Sequence, residues 1–258
     1  HCQYAGIFWG QVSTLAADSI LNWADAIVCV GVAFTDYSTV GWTALPNISL
    51  MIAGLDHIIF PGAMCGRVHL RDFLSGLEKT VHRNETTLTE YNRIRPDPPL
   101  VEAASPMAPL TRKEMSRQVQ LLLTPETTLF VDTGDSWFNG IKMKLPHGTR
   151  FEVEMQWGHI GWSIPAGFGY AVAEPQRQVV VMVGDGAFQM TAQEVSQMIR
   201  YKSPVIIILV NNQGYTIEVE IHNGIYNQIK NWDYALLAQA FNSTDGGAGG
   251  IRVTTGSQ

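Results

Sequence analysis

Two stretches decide the fold: Val179-Val-Val-Met-Val-Gly-Asp-Gly186 and Val205-Ile-Ile-Ile-Leu-Val-Asn-Asn-Gln-Gly214. Each is a β-branched apolar run that ends in small and polar residues, the pattern of a strand buried on both faces that runs into a turn. Between them, Thr191 with Glu194 has capping-box spacing and is expected to open a helix to about Tyr201. Upstream the alternation repeats. Thr111 and Glu114 cap a helix through Leu123, strands follow at Thr128–Asp132 and Phe151–Met155, and a helix lies around Ile164–Val172. Strands separated by helices imply a parallel, doubly wound α/β sheet, in which ligands bind beyond the carboxyl ends of the strands.

The first part of the chain reads as a second, incomplete α/β unit of the same doubly wound parallel class. Its elements are a strand from Ala26 to Phe34, shorter strands at Leu50–Ala53 and His57–Phe60, and a helix bearing Phe73, Leu74 and Leu77 on one face. Five of twelve prolines fall between Pro96 and Pro109, in a polar stretch without helical or strand periodicity. The expected division is residues 1–85, a linker at 86–110, and 111–258. The opening His1 and the glycine-rich run Gly246–Gly250 suggest a piece of a longer chain.

Composition narrows the classes. Seventeen basic against twenty-three acidic residues give a net charge of −6 with no Lys/Arg stripe, so nucleic acid is not an expected partner. The apolar runs fall far short of the roughly 18 residues of a membrane span. Cys2, Cys29 and Cys65 are odd in number and widely spaced, which suits a reducing, cytoplasmic setting, and Cys29 reads as core. Glycosylation-like triplets begin at Asn47, Asn84 and Asn242, but such short motifs arise by chance and secretion is not expected.

The two turns carry the chemistry. A carboxylate between glycines, Asp185, and an amide, Asn212, are oxygen donors of the kind Mg2+ takes alongside phosphate, and glycine lets backbone approach a phosphate closely. Either turn alone also reads as an ordinary strand-to-helix turn. A dinucleotide fingerprint competes, but Gln189 stands where its third glycine belongs. Together, Gly184-Asp185-Gly186, twenty-four residues and Asn211-Asn212 resemble the signature of thiamine diphosphate enzymes. Thr133-Gly-Asp-Ser-Trp-Phe-Asn139, Trp157-Gly-His-Ile-Gly-Trp-Ser163, Gly214-Tyr-Thr-Ile-Glu-Val-Glu-Ile-His222 and Asn231-Trp-Asp-Tyr234 resemble pyruvate decarboxylases, of the plant and bacterial branch, and Phe34–Trp42 echoes their middle domain.

The resemblance implies roles. Asp185, Asn212 and the Gly214 carbonyl would hold Mg2+. Gly184, Gly186, Ala187, Thr133, Asp135 and Ile217 would line the thiamine diphosphate site, with Trp137 a further candidate. Ile160 would prop the cofactor in its bent form and the Gly158 carbonyl would accept from its amino group. Glu218 would be the active-site acid, and Ile217 and Ile221 would shape a small substrate pocket. His159 and His222 match no catalytic histidine of the family. Residues 1–85 would be the later part of the middle domain and 111–258 the diphosphate-binding domain, truncated at its end; the pyrimidine-binding domain, with its activating glutamate and histidine pair, would lie outside this chain. The implied activity is decarboxylation of pyruvate, a small 2-oxo acid, to acetaldehyde and CO2 by a homo-oligomer with sites at subunit interfaces. The alternatives are a decarboxylase of a bulkier aromatic 2-oxo acid, or a cofactor-binding module without turnover of its own.

Overall fold

A computed structural model describes residues 4–46, 50–96, 105, 107–242, 247–256 and 258. Asn47 and most of the proline-rich stretch lie outside them. The chain divides into two compact units, His1–Pro99 and Leu100–Gln258. No helix among the described residues is long and apolar enough to cross a membrane.

The first unit runs α1 (Ala17–Trp23), β1 (Ile27–Val30), β2 (Leu50–Ala53), β3 (His57–Phe60), β4 (Ala63–Gly66), α2 (Leu70–Thr80) and α3 (Thr86–Ile94). The sheet order is β1-β2-β3-β4. Only β1 and β2 pair in parallel; β2–β3 and β3–β4 are antiparallel, so the expectation of a wholly parallel sheet is corrected here. The reason is local. Three residues join β2 to β3 and the pair Pro61-Gly62 joins β3 to β4, too few for the crossover that parallel strands need.

Two further expectations change. The run from Ala26 to Phe34 forms a strand only over Ile27–Val30, and as an edge strand it leaves Val28 and Val30 exposed and Cys29 half-buried rather than in the core. Burial still pushes the Cys29 thiol up. Helix α3 occupies the stretch read as linker, and its Tyr91 is buried with Trp9, Ile20, Ala53 and Ile58.

The second unit holds α4 (Arg112–Leu122), β5 (Thr127–Val131), α5 (Asp135–Gly140), β6 (Arg150–Val153), α6 (Ser163–Ala173), β7 (Gln178–Gly184), α7 (Asp185–Thr191), α8 (Glu194–Arg200), β8 (Val205–Val210), α9 (Thr216–Ile221), a 3-10 turn (Ile225–Asn227) and α10 (Tyr234–Asn242). Its sheet, β6-β5-β7-β8, is parallel throughout, as the alternating pattern requires. Val179, Val181 and Val183 of β7 pack with Phe130, Ile164, Phe188, Val195 and Met198. The chain passes from β5 to β6 on one side and returns to β7 on the other, so order reverses at β5 and β7 and a crevice opens beyond their carboxyl ends.

The Thr111 side chain caps α4 by accepting from Glu114 N at 3.2 Å. Thr191 does not cap α8: it ends α7, and its hydroxyl donates to Gly161 O at 2.7 Å. The helix that follows β7 begins at once, at Asp185, and the spacing to Glu194 is coincidental.

Candidate active site at the strand ends

Asp185 directly follows β7 as the first residue of α7, and it is 1% exposed. Its Oδ1 accepts from Gly186 N at 2.8 Å, and its Oδ2 from Gln213 N at 2.6 Å and Gly214 N at 3.2 Å. The β7 carboxylate therefore stitches down the turn that follows β8. Burial pushes this carboxyl above the usual carboxylate range, against the pull of the N–H groups of Gly186, Gln213, Gly214 and Asn212.

Asn212 reaches toward the same point. One terminal atom of its amide lies 2.9 Å from Asp185 Oδ1 and 3.0 Å from Gly214 O; the other meets Thr216 Oγ1 at 2.8 Å. With nitrogen inward, both short contacts are hydrogen bonds. With oxygen inward, a carboxylate, an amide and a backbone oxygen converge with no proton between them, an arrangement that only a cation stabilises. Adjacent oxygens around Mg2+ at about 2.0–2.1 Å stand about 2.9 Å apart in an octahedron, which is the spacing seen. What occupies the point decides which atom of the amide turns inward. No group of three His, Cys, Asp or Glu gathers as a metal site among the described residues, so a cation here takes one charged ligand and neutral oxygens. That donor set leaves a hard ion positive enough to hold diphosphate.

Gly214 has φ +142°, and a Cβ there would meet Asn227 O at 2.8 Å, so the ligand turn requires glycine. Gly184 caps α7 through backbone alone, with Gly186 and Ala187 buried in its first turn. Glu218 stands in α9, exposed, six residues past Asn212, with Ile217 half-buried beside it and Ile221 73% exposed.

The loop before α6 forms the other wall. Thr133 Oγ1 donates to His159 O at 2.9 Å, tying the end of β5 to this loop. Ile160 is 36% exposed, so it is not a core residue, and a Cβ on Gly158 would lie 3.8 Å from the buried Trp137 ring. The Asp135 carboxylate pairs with Arg112 at 2.8 Å. His159 pairs with Glu154 at 3.4 Å, and His222 contacts the Tyr226 hydroxyl. Sequence reasoning passed over Asp132, fully buried at the end of β5, and Glu154 just after β6. The partners of both are backbone amides, which no residue type advertises: Asp132 takes those of Gly161 and Ser163 from a distant segment, and Glu154 those of Trp157 and His159 in the loop that follows it.

Residues 132–258 match the family model described as thiamine pyrophosphate enzyme, C-terminal TPP binding domain. A pyruvate decarboxylase of Neurospora crassa is 64% identical over 255 residues, 99% of this chain and 45% of that protein. A probable pyruvate decarboxylase of Schizosaccharomyces pombe is 57% identical over 257 residues, 99% and 45% respectively. Pyruvate decarboxylase 4 of Arabidopsis thaliana is 44% identical over 248 residues, 95% and 41%. These two fungal proteins are more similar to the chain than the plant one. The chain spans less than half the length of each of these three relatives. Over residues 132–258 the chain belongs to the thiamine pyrophosphate enzymes, as their C-terminal TPP binding domain.

Proposed function

We propose that this chain is the carboxyl-terminal portion of a cytoplasmic, homo-oligomeric pyruvate decarboxylase that uses thiamine diphosphate and Mg2+ to release acetaldehyde and CO2. The observation that carries the reading is that one terminal atom of the Asn212 amide meets Asp185 Oδ1 at 2.9 Å and Gly214 O at 3.0 Å, spacings that suit octahedral Mg2+ when oxygen turns inward and hydrogen bonds when nitrogen does. Asp185 and Asn212 would hold the ion and, through it, the diphosphate. Gly158 and Ile160 would meet the heterocyclic end. Thiamine diphosphate supplies an electron sink for the carbon–carbon bond that breaks as CO2 departs. Glu218, near the turn and exposed, would move the proton that the product requires, and Ile217 and Ile221 would favour a small apolar substrate. The names of the relatives favour pyruvate over a bulkier aromatic 2-oxo acid.

The partial coverage of the relatives supports a second reading, a module that binds cofactor and turns over only when another chain completes the site. Calorimetric titration of thiamine diphosphate with Mg2+ tests what both share. Asp185→Ala removes the only charged ligand and should weaken binding at least about tenfold, roughly 1.4 kcal/mol. Undiminished Mg2+-dependent binding would overturn the assignment. Pyruvate turnover by the chain alone would then reject the module reading.

A further inference from the structure

The loop that presents Gly158 and Ile160 is exposed, yet it is held at alternate residues. Trp157 N and His159 N donate to the two oxygens of Glu154, at 2.8 and 3.0 Å. Gly161 N and Ser163 N donate to the two oxygens of Asp132, at 3.0 and 2.9 Å, and Ser163 Oγ adds a third bond at 2.5 Å. Two carboxylates, one from the end of β5 and one just past β6, thus take four amides of a seven-residue segment. Packing reaches Trp162, which lies against Phe130, but it cannot hold the part before it, because Trp157 is 73% exposed and Ile160 36% exposed. Charge-assisted bonds can, since a carboxylate accepting from N–H groups is among the stronger restraints available to a loop. Thr191 Oγ1 and Thr133 Oγ1 secure two carbonyls, Gly161 O and His159 O. The Gly158 carbonyl and the Ile160 side chain lie between these anchored points.

We propose that Asp132 and Glu154 are positioning residues: a pair of carboxylate clamps that fix the 157–163 loop so that Gly158 and Ile160 meet the heterocyclic end of the cofactor, while Asp185, Asn212 and Gly214 hold its diphosphate end. The cofactor half of this inference rests on the function proposed above; the clamp itself does not. Both carboxylates are taken up by backbone amides and the Ser163 hydroxyl. Each acts through backbone it restrains, and preorganised loops bind more tightly because less ordering remains to be done.

The test uses this chain with Glu154→Gln, Glu154→Ala and Asp132→Asn, and two probes with Mg2+: thiamine diphosphate, and inorganic pyrophosphate as the diphosphate end alone. Hydrogen exchange of the 157 and 159 amides should quicken about tenfold or more in Glu154→Ala, and less in Glu154→Gln, whose single carbonyl oxygen keeps one amide. Thiamine diphosphate should bind about tenfold more weakly in Glu154→Ala, with pyrophosphate affinity unchanged. Asp132→Asn should show the same split, with faster exchange at 161 and 163; if its burial prevents folding, the Glu154 pair carries the test. Unchanged exchange would overturn the clamp. Equal loss for both probes would overturn the positioning role and leave only a contribution to folding. If the unaltered chain bound neither probe, the proposed function would fall with the positioning role, while exchange would still decide the clamp.

Discussion

The two glycines around Asp185 should respond oppositely to alanine. A Cβ at Gly184 meets nothing within 4 Å, and its φ of −76° suits any residue. A Cβ at Gly186 would lie 2.4 Å from Tyr215 Cε1 and 2.8 Å from Cδ1. Reaching ordinary carbon–carbon contact takes about 1 Å of retreat. Overpacking of this kind costs about 1–3 kcal/mol, and alanine's advantage over glycine inside α7 returns about 0.5–1. At the middle of these ranges Gly186→Ala should therefore lose about 1 kcal/mol, a fall in Tm of roughly 2–4 °C, while Gly184→Ala stays within about 0.5 kcal/mol. Tyr215 directly follows the ligand Gly214, so its retreat also moves the Gly214 carbonyl. Mg2+ tolerates little departure from octahedral geometry, and cofactor-dependent Mg2+ affinity should drop about tenfold. Thermal unfolding followed by circular dichroism gives the first figure and calorimetric titration the second. Equal Tm values for the two variants, with Gly186→Ala binding as the unaltered chain does, would refute the steric argument.

Other outcomes follow from the same geometry. Glu218→Gln should leave thiamine diphosphate binding intact while turnover in the complete enzyme falls about a hundredfold, the reach of a positioned general acid; lost binding with normal chemistry would reverse its role. The Asp132 carboxyl is pushed up by burial, although Ser163 and the Gly161 and Thr133 amides pull it down. A carboxyl raised in the folded state holds its proton longer there than in the unfolded chain, so it stabilises most below about pH 3.9 and that contribution is lost as pH rises through the folded value. Thermal stability measured upward from pH 4 should therefore decline less steeply in Asp132→Asn; a parallel decline would exclude this group. Gly161 has φ +86°, and a Cβ there would approach Ala187 O to 2.9 Å, so Gly161→Ala should cost about 2–4 kcal/mol in a urea unfolding curve.

The sequence was most legible where burial is complete. Val179–Val183 and the run at Thr128 announce their strands because no other structure suits a run apolar on both faces; the run at Val205 also forms its strand, but at the end of the sheet order, where Ile206 is 38% exposed and the burial on both faces that its residues suggest is not reached. The turns after them could be read because glycine, aspartate and asparagine stand there at a spacing that links two separate turns. Legibility failed where the deciding contact is distant or the signal is shared. Pro61-Gly62 marks a hairpin, but the short runs beside it also suit parallel strands. Thr191 and Glu194 have the spacing of a cap, yet the Thr191 hydroxyl is taken by Gly161 O, thirty residues away. Asp132 and Glu154 escaped notice for the same reason, since their partners are backbone amides that no residue type advertises.

The central claim is that one hard cation sits among Asp185, Asn212 and Gly214. A crystal of this chain grown with thiamine diphosphate and Mn2+ in place of Mg2+, measured for anomalous scattering, tests it directly. One strong peak is expected at about 2.1 Å from Asp185 Oδ1, Asn212 Oδ1 and Gly214 O, with the Asn212 oxygen turned inward and diphosphate oxygens completing the shell. A cofactor bound with its metal elsewhere, or an Asn212 amide still donating to Asp185 beside a bound diphosphate, would contradict it.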